Sequence, residues 1–223
     1  MVNMTDFHNK VQAPNPTRAI LDRQKELMAK YEGIEEKNGL LETHDVPVDI
    51  DSYKGQARLK NFAWRVTEEL TEALEPLYGD KDVTPETDEY THMMEEFIDA
   101  VHFMAELAIL SGLDMKENDM FSFKACMDLA NNTDFQANSA QDLVVETMGI
   151  IMNLGLAMNC LKNKPWKQTH VTTDVIKYRY YVLSAARSLT ILLGKFFRLV
   201  EDDLVNCYLN KADVNKFRQE SGY

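Results

Sequence analysis

The sequence is poor in cysteine and in long apolar runs. Its three cysteines, Cys126, Cys160 and Cys207, are far apart and form no CxxC pair, so neither a zinc ribbon nor a disulfide framework is predicted. They are interpreted as buried thiols in a reducing compartment. The longest apolar stretch, GIIMNLGLAM, has about half the length that a membrane span needs, and the first residues show no apolar signal segment. We therefore expect a cytoplasmic protein with no membrane partner.

Positive charge is also scarce. Against 36 Asp and Glu there are only 24 Lys and Arg, which gives a formal net charge of −12. This surplus repels polyanions at long range and argues against nucleic acid or an anionic membrane as the main partner. Any anionic ligand must therefore be bound by a local group of cations. With 223 residues, of which 45% are apolar, the chain is long enough for one large domain.

Alternating β patterns and internal repeats are lacking, whereas helical spacing is found along most of the chain. In TRAILDRQKELMAKYE one stripe predicts a buried helix face, formed by Ile20, Leu21, Gln24, Leu27, Met28 and Tyr31. Further helices are predicted over residues 56–77, 87–111, 139–163 and 172–200, and shorter ones in KENDMFSFKACMDLA and EDDLVNCYLNK. Ser139 and Asp142 form a capping pair, and the helix over 172–200 is apolar enough to be central. We predict a single all-α helical bundle over residues 1–223, with a loose start over 1–15.

Two pairs of acids lie on neighbouring predicted helices. Glu69 and Glu72 are three residues apart, as are Glu96 and Asp99, so each pair shares one helix face. Apolar stripes on both helices bring these faces close to the interior, where carboxylates are costly without a compensating cation. Four carboxylates from two helices form a hard-oxygen site that suits Mg²⁺, for which Mn²⁺ can substitute. One such pair alone is more often a solvated face, and three nearby acids remain alternatives: Glu68, Glu75 and Glu95.

The C-terminal stretch YLNKADVNKFRQESGY carries donors at helical spacing. Lys211, Asn215 and Arg218 follow at intervals of four and three residues and would project from one helix face. Such a row can hold phosphate oxygens, while the alternative interpretation is a solvated, frayed end.

Together, EELTEAL, EEFIDAVHF and the C-terminal stretch resemble the all-α, dimeric dUTP pyrophosphatases and their relatives that also hydrolyse dCTP. Those proteins have ExxE on one helix and ExxD followed by His-Phe on the next. They end in Tyr-Leu-x-Lys-x-x-x-Asn-x-x-Arg-Gln and a final Gly-Tyr. The resemblance implies a homodimer that converts dUTP, with dUDP or dCTP as further substrates, to the monophosphate.

The resemblance also implies roles for individual residues. Two or more Mg²⁺ ions would be bound by Glu69, Glu72, Glu96 and Asp99. The phosphate chain would be held by Lys211, Asn215, Arg218 and Tyr223. Gln24 would line the nucleoside pocket, and Glu69 is our choice for the general base. We expect residues 212–223 to form a mobile tail that orders on the nucleotide, because its charges lack partners until then.

Three features of the sequence depart from the family pattern, and one of them is Ala212, which replaces a frequent Asn in the C-terminal motif. Met28 stands where the family commonly has Asn or Asp, which predicts weaker discrimination between dUTP and dCTP. A Trp and Lys cluster between the acidic motifs is missing, and its candidate replacements are Trp64 with Arg65, or the segment 165–167. His102 is predicted to be a hydrogen-bonded structural residue rather than a brace for a carboxylate. The apolar segment YYVLSAARSLTILLG is the candidate dimer interface.

Two other functions remain open. The first is a related pyrophosphatase that acts on dCTP or on a modified deoxynucleotide. The second is a helical binding protein that has lost catalysis and uses its acidic face to bind a partner.

Overall fold

A computed structural model describes residues 11–79, 83–113, 120–122, 124–126, 139–164 and 166–220. Within these residues the chain is all-α and contains no strand, which confirms the predicted class. The long helices are α1 (Pro16–Lys37), α2 (Tyr53–Tyr78), α3 (Asp88–Leu110), α4 (Ala140–Cys160), α5 (Val175–Phe196) and α6 (Glu201–Glu220). The helix predicted in KENDMFSFKACMDLA lies mostly outside the described residues, of which 124–126 are helical.

Polar side chains fix the starts of the helices. Asn15, Ser52 and Thr87 each accept a hydrogen bond from a backbone N–H in the first turn of α1, α2 and α3. Ser139 and Asp142 form the predicted capping box of α4. At the end of α3, Gly112 has a φ of 66°, a left-handed conformation that an L side chain rarely adopts. These caps set the lengths of the helices that carry the site.

The core is built around α3. This helix is buried along most of its length and packs against α1, α2, α5 and α6, while α4 and α5 pack mainly against each other. The prediction that the helix over residues 172–200 is central is therefore wrong. The apolar stripes of α2 and α3 are buried as predicted, with Leu70, Ala73, Phe97 and Ile98 fully inside. Their packing places the remaining faces of α2 and α3 side by side.

The C-terminal helix α6 is longer than predicted. A short helix ending near Lys211 was expected, but α6 continues to Glu220. Ala212 is fully buried, and Arg23 on α1 forms an ion pair with Asp213 at 2.5 Å, so the helix stays packed past the expected end. Residues 212–220 thus continue α6, with Val214 and Phe217 exposed, and the expected ordering of residues 212–223 on nucleotide stays a prediction. Tyr223 lies outside the described residues.

One helix, α4, is long and apolar enough to cross a membrane by length and composition, which is weak evidence for a span. It packs against α5 and α2 in the bundle and leaves Val145, Met148 and Met152 exposed. The segment expected to form a dimer interface behaves differently, because most of its apolar side chains, such as Val182 and Leu189, are buried inside the chain. That expectation stays a prediction, because exposed apolar side chains lie on α4 and also on α5, where Ile176 and Tyr180 are exposed.

Candidate active site

Three of the four predicted metal ligands lie together where α2 packs against α3. Oxygen atoms from Glu69, Glu72 and Glu96 all lie within 4.8 Å of one another. Glu69 and Glu96 are half-buried and Glu72 is exposed, so the group lies at the edge of the interface between the two helices. The alternatives Glu68, Glu75 and Glu95 are not in this group.

The three carboxylates crowd one another. Burial, a hydrogen bond shared with Glu96 and the charges of Asp99, Glu96 and Glu72 together raise the pKa of Glu69 to about 8. Glu69 therefore retains a proton at neutral pH when no cation is present. A divalent cation relieves this repulsion, and carboxylate oxygens are its preferred ligands. The residues present therefore fit Mg²⁺.

The fourth predicted ligand, Asp99, has a different partner. Its Oδ2 accepts a hydrogen bond from Lys211 Nζ on α6 at 2.7 Å, and both side chains are largely buried. Burial raises the pKa of Asp99 to about 6, although the charge of Lys211 acts in the opposite direction. Asp99 lies beside the group of three, since the charge of Glu96 also acts on it. Lys211, which precedes the expected tail over residues 212–223, thus has a carboxylate partner on α3.

The donors of α6 lie beside these carboxylates. Lys211 is bound to Asp99, Asn215 is half-buried and lines a cavity with Glu69 and Asp99, and Arg218 is exposed. Burial raises the pKa of Asp99, and the positive charges of Lys211 and Arg218 oppose this rise. The chain thus gathers cations and amide donors next to its acid cluster in spite of its negative net charge.

A cavity of about 200 Å³ lies behind the carboxylates. Its walls combine apolar and aromatic side chains with a few polar groups, which suits a planar ring carrying polar edges. The lining residues are Gln24, Leu27, Tyr31, Arg65, Glu69, Asp99, His102, Phe103, Glu106 and Asn215. Met28 is buried in the core and is not among the lining residues, so a direct contact between residue 28 and a base is not supported.

Gln24 is held by a buried hydrogen-bond network at this cavity. Its Nε2 donates to Glu106 Oε2 at 2.8 Å, and its Oε1 accepts from the Tyr208 hydroxyl at 2.6 Å. The same oxygen lies 3.2 Å from His102 Nδ1, which must carry a hydrogen because an amide oxygen only accepts. Burial lowers the pKa of His102 to about 3, so the ring is neutral. His102 also stacks on Tyr208 at 4.0 Å between ring centroids, which fits the predicted structural role.

The model of the dUTPase family matches residues 69–223, which is more than two thirds of the 223 residues. The chain belongs to the all-α dUTPase family. No curated protein and no solved structure matches it significantly. The matched part of this dUTPase family member begins at Glu69 and includes the acid cluster and all of α6, whereas Gln24 lies outside it. Membership supports an enzyme with a nucleotide substrate.

Of the candidates to replace the missing Trp and Lys cluster in this dUTPase family member, Arg65 is the one that lines the cavity. Its guanidinium carbon lies 4.5 Å from the centroid of the Phe62 ring, and it forms an ion pair with Glu35. Trp64 is 62% exposed and borders a separate cavity, and Trp166 is 76% exposed. Pro165 lies outside the described residues.

Two residues of the network were missed at the level of sequence. Glu106 is the lone acid in the apolar run FMAELAIL, and an acid at such a position is costly unless it has a partner or a function. That signal could have identified it. Tyr208 belongs to the C-terminal stretch but carried no predicted role, because its partner Gln24 is 184 residues away in the sequence.

Proposed function

We propose that the protein hydrolyses dUTP to dUMP and pyrophosphate and so controls deoxynucleotide pools. Mg²⁺, or Mn²⁺ in its place, would be held by Glu69, Glu72, Glu96 and Asp99. The observation that carries the proposal is the convergence of three carboxylates within 4.8 Å at a cavity, in a chain of the dUTPase family. When bound, Mg²⁺ supplies positive charge that neutralises the triphosphate and polarises its phosphate oxygens.

The protein side chains have distinct tasks in this proposal. The base and sugar enter the cavity beside Gln24 and Phe103. Lys211, Asn215 and Arg218 donate hydrogen bonds to phosphate oxygens, with Tyr223 as a further predicted contact. Lys211 and Asp99 neutralise each other until nucleotide enters, and Lys211 then has a phosphate oxygen as an alternative acceptor.

Glu69 is the proposed general base, which takes a proton from the attacking water. Its position supports this choice, because Glu69 belongs to the acid cluster and also lines the cavity. Glu68, one residue earlier on α2, is exposed and lies outside this cluster.

Two alternatives compete with this proposal. A related activity on dCTP or on a modified deoxynucleotide would use the same acids and the same α6 donors. A binding protein without catalysis would need only the acidic face, and the buried network behind the acids argues against it. We further propose a cytoplasmic homodimer with no nucleic-acid or membrane partner.

The deciding experiment incubates the purified protein with Mg²⁺ and, separately, dUTP, dUDP, dCTP and each of the other deoxynucleoside triphosphates. Release of pyrophosphate or phosphate is measured with and without excess chelator. We expect pyrophosphate from dUTP, none with chelator, and little from purine nucleotides. Absence of turnover with every nucleotide, or full turnover in chelator, contradicts the proposal.

A further inference from the structure

One oxygen of a buried carboxylate remains available at the inner end of the cavity. Glu106 is 3% exposed and lines the cavity, and its Oε2 accepts from Gln24 Nε2 at 2.8 Å. No hydrogen bond to its Oε1 is found among the described residues, and this oxygen is not one of the fully buried unpaired side-chain atoms, so it is open to the cavity. Glu106 also stands outside the acid cluster that we assign to Mg²⁺.

The orientation of Gln24 determines what Glu106 presents to a ligand. The amide oxygen of Gln24 is occupied by Tyr208 and His102, which both act as donors. Its nitrogen must therefore face position 106, and the group at that position must offer an acceptor to it. An ionised Glu106 meets this requirement with Oε2 and still offers a second acceptor, Oε1, to the cavity.

We propose that Glu106 determines the base specificity of the site, because its Oε1 accepts a hydrogen bond from the exocyclic amino group of cytosine. On this reading the enzyme hydrolyses dCTP as well as dUTP. The inference rests on the proposed function and specifies its substrate class. Glutamate acceptors suit this amino group, which cytosine presents at C4 and uracil lacks.

The chemistry of the two bases explains why both are accepted. Cytosine carries its amino group at C4, where uracil carries an oxygen that an ionised carboxylate repels. Uracil instead offers the N–H of N3, one ring position away, to the same acceptor. Positive charge from Arg58 and Arg65 favours the ionised form of Glu106, while burial raises its pKa to about 7. Purines require more room than a pyrimidine in a cavity of about 200 Å³.

The test compares the wild type with Glu106→Gln. Because the nitrogen of Gln24 faces position 106, the new amide must direct its oxygen to Gln24 and its NH₂ to the base. A donor then meets the amino group of cytosine, whereas it suits the C4 oxygen of uracil. We expect the ratio of kcat/KM for dCTP to that for dUTP to fall by about 10-fold or more. The matched control is Glu86→Gln, an exposed glutamate with no described partner, which should leave the ratio unchanged.

A second arm uses the wild type alone and needs no folded variant. The triphosphate of 2-pyrimidinone deoxyriboside is cytosine without the amino group, and its kcat/KM should be about 10-fold or more below that of dCTP. Equal kcat/KM for these two compounds overturns the inference. So does an unchanged ratio in Glu106→Gln.

The outcomes also separate the inference from the proposed function. Hydrolysis of dUTP without any hydrolysis of dCTP overturns the inference and leaves the proposed function intact. Absence of all hydrolysis contradicts the proposed function, and calorimetric titration with dCMP and dUMP then decides the inference. If Glu106→Gln loses more affinity for dCMP than for dUMP, the inference is supported. If the variant loses the same affinity for both nucleotides, the inference is overturned.

Discussion

Glu69 and Glu96 come from different helices, and burial together with the contact to Glu96 and the neighbouring charges raises the pKa of Glu69 to about 8. The contact therefore holds a proton in the metal-free protein, and a cation that binds there must displace that proton. At the scale of the residue, the crowded carboxylates of Glu69 and Glu96 cost stability without metal, and the same carboxylates bind the metal.

This relation makes Glu96→Ala informative. The variant should lose hydrolysis by 10²-fold or more, while its melting temperature in chelator should equal or exceed that of the wild type because a repulsive neighbour is removed. Added Mg²⁺ should raise the melting temperature of the wild type and not of the variant. The matched control is Glu95→Ala, the preceding residue on α3, which should retain both activity and the Mg²⁺ response. If Glu96→Ala hydrolyses dUTP as fast as the wild type, the assignment of Glu96 as a metal ligand is wrong.

Substitution of Lys211 should lower the stability of the metal-free protein, whereas substitution of Glu96 should not. Lys211→Met leaves the largely buried Asp99 without its cation, and we expect a loss on the order of 2 kcal/mol in the free energy of unfolding, together with a large loss of activity. Lys216→Met, on the same helix and without a described partner, serves as the control and should change stability little. Chemical denaturation in chelator measures both. Equal stabilities of the two variants would show that the ion pair with Asp99 contributes nothing.

At the scale of the element, spacing within one helix was enough to predict which side chains share a face. The acid pairs on α2 and α3 and the donors on α6 all follow from intervals of three and four residues. Contacts between helices were not predictable in this way. The pairs Lys211 with Asp99 and Gln24 with Glu106 and Tyr208 join positions that only the packing of α1, α3 and α6 brings together.

The contacts at the end of α6 also could not be predicted from spacing within one helix. Composition alone favoured a polar tail from Ala212 onward, but a small residue at this position packs fully against the bundle and extends the helix. Beyond Asp213, Val214 and Phe217 are exposed, so little apolar surface is buried there. The stability of the bundle and the function of its last turns should therefore be separable.

We predict that deletion of residues 214–223 lowers the melting temperature by only a few degrees. It should nevertheless lower kcat/KM for dUTP by about 10²-fold or more, because Asn215 and Arg218 are lost from the phosphate side of the site. Arg218→Ala should reproduce much of this loss, and the exposed Arg18→Ala at the start of α1 is its control. A truncated enzyme with wild-type kinetics would show that the end of α6 is merely solvated.

At the scale of the whole molecule, the exposed apolar face of α4 is the surface that a second copy could cover. Met152 is 64% exposed there, and Tyr180 on α5 is also 64% exposed, which makes the two a matched pair. We predict that the wild type sediments as a dimer, that Met152→Glu dissociates it by placing a charge in the interface, and that Tyr180→Glu does not. Sedimentation velocity distinguishes these outcomes. If Tyr180→Glu dissociates the dimer and Met152→Glu does not, the interface lies on α5 and not on α4.

The buried ionisable groups of the site give the metal-free protein a particular dependence of stability on pH. The pKa values of Glu69 and Glu106 are raised to about 8 and about 7, mainly by burial, so the folded protein binds more protons than the unfolded chain in this range. Its free energy of unfolding must then fall as pH rises. His102 acts in the opposite direction, because burial lowers its pKa to about 3, but its contribution is complete above the ordinary histidine pKa of about 6.5.

We therefore predict that the melting temperature in chelator falls between pH 6.5 and pH 8.5. Glu106→Gln should reduce this slope, because one of the two groups that take up protons on folding is removed. Saturating Mg²⁺ should also reduce it, since metal binding favours the ionised carboxylates and grows stronger as pH rises. Differential scanning calorimetry at constant ionic strength measures all three series. A melting temperature that rises over this range in chelator would show that the carboxylates are ionised in the metal-free fold, and that the crowding of Glu69 by its neighbours is relieved without a cation.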